Sequence, residues 1–208
     1  MSRLASTFRS LGIAARLMVI LTVILGVGYP LVVTGVGRLG LGSQADGSLV
    51  RDSSGTIVGS RLIGQSFTDA SGRPLAQYFQ SRPSAAGSGY DADASGGSNL
   101  GPESLKLVDE IATRKREVAE FNGVPESAVP PDAVTASASG LDPDISPAYA
   151  AIQVERVARE RGLPVDEVRR LVAAHTQGRT AGFLGQPRVS VLELNLALDD
   201  LGAIGRSG

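Results

Sequence analysis

The chain has no cysteine, no tryptophan and a single histidine, His175. The missing thiols exclude disulfides, thiolate metal sites and cysteine nucleophiles together. One imidazole would have to be the base of any serine–histidine–carboxylate site, and no G-x-S-x-G elbow accompanies it. His175 falls beside Leu171 and Val172 on the apolar stripe of a predicted helix, where it reads as structural. There is no G-x-x-x-x-G-K-[ST] phosphate loop, no G-x-G-x-x-G turn and no H-E-x-x-H pair, so the chain alone carries no ATPase, dehydrogenase or zinc-protease signature. A net charge of −1 and the lack of any basic run give nucleic acid nothing to bind.

Apolar residues are concentrated at the N-terminus. From Leu17 to Gly37, LMVILTVILGVGYPLVVTGVG carries no charge and is bracketed by Arg16 and Arg38. As a helix it rises roughly 31 Å, the depth of a bilayer's hydrocarbon core, so residues 17–37 are expected to cross a membrane once. It outruns a signal-peptide core, and no small-x-small cleavage site follows. Pro30 predicts a kink, and a helix packed on partners. Arg3, Arg9 and Arg16 precede the span without an acid, whereas Asp46 and Asp52 accompany Arg38 and Arg51 beyond it. The positive-inside rule then leaves residues 1–16 in the cytoplasm and exports residues 38–208 as one soluble domain.

That domain reads as α+β, with a short antiparallel sheet and about four helices. Two β-branched runs between Gly47 and Phe67 flank Asp52-Ser53-Ser54-Gly55, a hairpin pattern. Residues 68–101, rich in Ser, Gly, Ala and Pro, are too long for a passive loop and read as functional or mobile. Helices are expected from Pro102 to about Phe121, from Ser146-Pro147 to Gly162, and from Val165 to Gly178. The second carries the apolar stripe Ala150, Ala151, Val154, Val157 and Ala158. SVLELNLALDDL alternates like a strand, but Ser190-x-x-Glu193 has the form of a capping box and favours a helix.

The candidate sites are few. DADASGG, Asp91 to Gly97, imitates the start of a calcium loop, but the twelfth position is Pro102 where a glutamate belongs, so no metal site is assigned. Asp142 and Asp144 could form an acid–base pair; the plainer reading is a turn at Asp142-Pro143 and an acid at the positive end of the Ser146 helix. The small residues of TASASG permit close approach of another backbone. Residues 135–140 are therefore read as a docking surface for a partner or for the neighbouring loop. Tyr78, Phe79, Arg82 and Asn99 join Asp142 and Asp144 as candidates for partner docking.

LIGQSF (62–67), YFQSRPSA (78–85), SGGSNLGPES (95–104), VTASASGLDPDISPAYA (134–150) and VLELNLALD (191–199), following one N-terminal span, resemble the C subunit of the Kdp potassium-transporting P-type ATPase. The resemblance implies a non-catalytic accessory subunit of a bacterial inner-membrane complex, beside a channel-like potassium-selecting subunit and a P-type subunit that hydrolyses ATP. It further implies a catalytic chaperone that promotes ATP binding by the hydrolysing subunit, with Ser137, Ser139, Gly140 and Gln153 as nucleotide-binding positions. An exported domain cannot meet cytoplasmic ATP. The arginine pattern instead favours a domain that covers the outer mouth of the channel-like subunit, near potassium, and holds the complex together. A different class, a membrane-tethered solute-binding or envelope protein acting alone, stays open.

Overall fold

The computed structural model describes residues 2–204 and divides into two compact units, one ending at Ser48 and one beginning at Leu49. The first unit is helical. Helix α1 (Ser2–Val23) passes through a π-turn at Ile24–Gly28 into α2 (Tyr29–Gly40), and a short α3 (Gly42–Ala45) follows. Within it, Thr7–Gly40 is apolar and long enough to cross a membrane, with a mean hydropathy of 2.3 in its most apolar window and none of that window buried. The π-turn lies directly before Pro30, whose ring would collide with the carbonyl four residues back in a regular helix. Tyr29 N–H bonds Ile24 O, five residues back, and the widened turn absorbs the proline without ending the helix.

The second unit is α+β. Strands β1 (Leu49–Arg51) and β2 (Ile57–Ser60) form the expected antiparallel hairpin, with a bulge between Val50 and Arg51. Its connection is held by Asp52, whose Oδ1 accepts from Ser54 N, Ser54 Oγ and Thr56 N, with Gly55 at φ 84°. The same device recurs at Asp69-Ala70-Ser71-Gly72-Arg73: Asp69 Oδ1 accepts from Ser71 N, Ser71 Oγ and Arg73 N, and Gly72 has φ 80°. Hydrogen bonds, first from Ser71, hold the Asp69 carboxyl down to about 2.

Helix α4 (Leu105–Asn122) starts three residues later than Pro102 because Gly101 to Ser104 form a turn, and Gly123 closes it at φ 68°. Strand β3 (Asp144–Ile145) leads into α5 (Pro147–Arg161), capped by Ser146, whose Oγ accepts from Tyr149 N at 3.0 Å. Of its predicted stripe, Ala150, Val154, Val157 and Ala158 are buried, whereas Ala151 is exposed. Helix α6 (Val165–Ala174) ends at His175, whose Nδ1 lies 2.9 Å from Leu171 O. Strands β4 (Thr176–Gln177) and β5 (Arg188–Ser190) complete a three-stranded antiparallel sheet in the order β3-β5-β4. Helix α7 (Val191–Ile204) follows β5 without a loop.

The alternating pattern of SVLELNLALDDL thus folds as a helix, but Ser190 is not its cap. It ends β5, its Oγ is buried with no hydrogen-bond partner among the described residues, and Val191 N bonds Pro143 O. Glu193 turns to Arg61 at 2.7 Å. The helix is held by burial: Val191, Leu194 and Leu198 join Val157, Val168 and Val189 in the core, each 1% exposed or less.

Candidate functional site

Residues 68–101 are not a free loop. Phe79 is fully buried, and the extended backbone around it is paired by side chains in place of a neighbouring strand. Asn195 of α7 accepts from Phe79 N at 2.8 Å and donates to Phe79 O at 2.9 Å. Gln153 of α5 accepts from Gln80 N at 2.7 Å and donates to Gln80 O at 3.2 Å. Each primary amide carries one acceptor and one donor group, so it can satisfy both main-chain groups of one residue. Arg156, 1% exposed, completes the set: it donates to Ala76 O and Tyr78 O, to Asn122 Oδ1 at 2.9 Å and to Gln153 Oε1 at 2.8 Å, and lies 4.4 Å from the centre of the Phe121 ring. Burial lowers its pKa to about 10. Tyr78 sits at the rim, half-buried, under the Arg161 guanidinium at 4.7 Å and 3.3 Å from Asp199.

This pinned strand delivers Arg82 to Asp142, which it meets at 2.8 Å, while Arg82 Nη2 reaches Thr135 O at 3.3 Å. Tyr90 spans the same junction, its hydroxyl donating to Arg82 O at 2.9 Å, and burial pushes its phenol up to about 12. The small residues 135–140 are approached by the chain's own segment 84–97. Ser84 Oγ donates to Gly140 O at 2.6 Å, and Gly96 N and Ser95 Oγ both donate to Ser139 O at 2.9 Å. A β-carbon on Gly140 would fall 2.7 Å from Ala86 and from Gly96 O; one on Gly64 would fall 2.4 Å from Asp142 O. The close approach that TASASG permits is therefore intramolecular, by the neighbouring loop.

Among the described residues, three shallow depressions surround Asp142-Pro143-Asp144. The largest, about 700 Å3, lies between Arg82, Pro130, Asp144, Ser146 and Arg188, and a second, about 560 Å3, between Leu62, Arg82, Ser137 and Leu141. The third, about 680 Å3, lies between Arg61, Asp144, Arg188 and Glu193. Asp144 pairs with Arg188 at 3.0 Å, yet its pKa is raised: burial outweighs Arg188, and Asp142 and Glu193 add repulsion. Asp144 does not cap α5. Asp132 does the second half of that work, accepting from Ser146 N at 2.7 Å and from Ser146 Oγ at 2.8 Å.

Of the docking candidates, Arg82, Asp142 and Asp144 are brought together and half-buried, and Tyr78 lies at the far end of the pinned strand. Phe79 is core, fully buried within the hydrophobic cluster. Asn99 is exposed, with a left-handed φ of 51°. Of the nucleotide-binding candidates, Ser139 is exposed, Ser137 and Gly140 are buried beside it, and Gln153 is 0% exposed with its amide committed to Gln80 and Arg156.

Residues 11–200 match the family model described as K+-transporting ATPase, c chain. The chain belongs to this family. It is 52% identical over 185 residues to the potassium-transporting ATPase KdpC subunit of Koribacter versatilis, spanning 87% of this chain and 89% of that protein. It is 54% identical over 182 residues to that of Kineococcus radiotolerans, at 88% and 89%, and 49% identical over 189 residues to that of Mycobacterium tuberculosis, at 90% and 96%. As a c chain it is an accessory, membrane-associated subunit, and catalysis lies in another subunit of the ATPase.

Sequence reasoning missed most of the residues that organise this c chain: Arg156, Asn195, Tyr90, Asp132 and Arg188. Only Arg156 left a usable mark. It sits between Val154 and Val157 on the stripe that enters the core, and a charged residue there needs partners.

Proposed function

We propose that this chain is the subunit that holds together an ATP-driven potassium-uptake complex in the bacterial inner membrane. Its helix, residues 17–37, spans the membrane with the N-terminus in the cytoplasm, and the unit from Leu49 onward docks outside, over the potassium-selecting subunit. The observation that carries this reading is the junction of Arg82, Asp142 and Asp144: Arg82 pairs with Asp142 and Asp144 with Arg188, Arg82 Nε is buried with no hydrogen-bond partner among the described residues, and open depressions lie around it. That is the anatomy of a shaped docking surface. Promotion of ATP binding by the hydrolysing subunit then follows from assembly, with Ser137, Ser139, Gly140 and Gln153 acting through the shape of the domain.

Purification of the tagged full-length chain in mild detergent tests the assembly. Two much larger membrane proteins should accompany it, and loss of potassium uptake should follow its deletion; a chain that purifies alone and is dispensable for uptake is a solitary tethered protein. Because the chain has no cysteine, Ser71→Cys provides a single thiol. Labelling of that thiol by a membrane-impermeant maleimide in intact spheroplasts is expected, and labelling only after lysis would reverse the orientation.

A further inference from the structure

The segment after α6 carries two large apolar side chains that nothing in the domain covers. Phe183 is 70% exposed and Leu184 55% exposed, at the tip of a tight turn. Residues 177–187 are all exposed. The turn is closed by its own main chain: Thr180 N donates to Leu184 O and Leu184 N to Thr180 O, both at 2.9 Å, and Phe183 N donates to Thr180 O at 3.3 Å. Ala181 and Gly182 both have positive φ, 54° and 81°, the signature of a type I′ turn. A left-handed alanine costs free energy, so this shape is held against a local penalty.

We propose that this tip is a membrane-contact element, in which Phe183 and Leu184 enter the interfacial region of the bilayer that holds the N-terminal helix. Three observations converge on a lipid surface. Within the turn the main-chain groups of Thr180 and Leu184 and the N–H groups of Gly182 and Phe183 are paired, which lowers the penalty that keeps loops out of an apolar medium. From Val168 to Leu192 the chain has four arginines, 169, 170, 179 and 188, and no acid. Arg169 pairs with Asp166 and Arg188 with Asp144, while among the described residues Arg170 and Arg179 join no ion pair and remain for anionic headgroups. Finally, residues 41–48, even fully extended, reach at most about 29 Å from the end of the apolar helix, so the domain cannot leave the membrane surface. An aromatic and a leucine beside arginines is the composition of an interfacial anchor.

This inference rests on the N-terminal helix spanning the bilayer, and the test separates the two. The chain has no tryptophan, so Phe183→Trp and, in a second chain, Leu25→Trp each create a unique fluorophore at an exposed position. Each full-length variant is reconstituted into phosphatidylcholine vesicles with and without phosphatidylglycerol, and quenched with lipids brominated at shallow or deep acyl positions. In the Phe183→Trp chain the expected emission is blue-shifted and quenched by shallow bromolipid, more strongly with phosphatidylglycerol; in the Leu25→Trp chain it is quenched by deep bromolipid. Adding Arg179→Gln should lower the bound-to-free ratio of the tip about fivefold in the anionic vesicles. Quenching in the helix variant, with the tip indole unquenched and water-like, overturns the tip contact alone. A blue-shifted but unquenched tip indole shows the tip buried against protein and overturns it equally. Quenching in neither variant overturns the anchor and this inference together.

Discussion

Gly140 and Gly123 have the same φ, 68°, and opposite surroundings. Nothing lies within 4 Å of a β-carbon added at Gly123, whereas at Gly140 it would strike Ala86 and Gly96 O. Gly123→Ala should therefore cost about 1 kcal/mol, the left-handed backbone alone. Gly140→Ala should cost about 2–4 kcal/mol, because strain and overlap add. Chemical unfolding of the two full-length variants in the same detergent reads the difference; equal losses would show that the 84–97 segment gives way. A second residue-scale test concerns Gln153. Gln153→Leu keeps the volume but leaves Gln80 N and O unpaired and strips a partner from Arg156, so the variant should be less stable by about 2–4 kcal/mol. A variant of unchanged stability would mean the amide is free for a ligand, which is the nucleotide reading of this position.

At the scale of elements, three serines, Ser104, Ser146 and Ser190, directly precede helices, and only the Ser146 side chain caps. Ser146 Oγ accepts from Tyr149 N and donates to Asp132, so Ser146→Ala should cost about 1–2 kcal/mol. Ser190 Oγ is buried without a partner among the described residues, so Ser190→Ala should leave stability within about 1 kcal/mol of the parent, with a gain the favoured direction. Thermal melts of both variants decide whether the S-x-x-E pattern at Ser190 is a cap in solution. The contrast also shows what could be read from residues alone. Helix α5 announced itself because Ser146-Pro147 and Gly162 act within a few positions of the chain, and the hairpin because Asp52 and Gly55 do. The pinning of the Phe79 strand was silent: its partners lie at Gln153 and Asn195, far along the chain, and an amide that replaces a β-ladder leaves no periodicity. The two aspartate turns give a pH test. Asp69 is held down to about 2 from its ordinary 3.8 by the hydrogen bonds it accepts, so its contribution is present above 3.8 and lost as pH falls through about 2. An NMR titration of its carboxyl carbon should show a midpoint near 2; a midpoint at the ordinary value would mean that the turn opens in solution.

For the whole molecule, the division at Ser48 carries a consequence for folding. Every residue of the hydrophobic core, from Phe79 to Leu198, lies in the unit from Leu49 onward. The apolar helix contributes no residue to that core, and none of its membrane-length window is buried. A chain beginning at Leu49 should therefore fold in water without lipid or partner, and melt in one cooperative transition with calorimetric and van't Hoff enthalpies in agreement. Its stability should lie in the range usual for a single domain, about 5–15 kcal/mol. The buried guanidinium of Arg156 makes this a demanding expectation, since its partners at Ala76, Tyr78, Asn122 and Gln153 come from three separate segments and must assemble together. Scanning calorimetry of residues 49–208 is the measurement. A broad or absent transition would mean that the surface around Asp142 is completed by another subunit, and that this domain acquires its shape only on assembly.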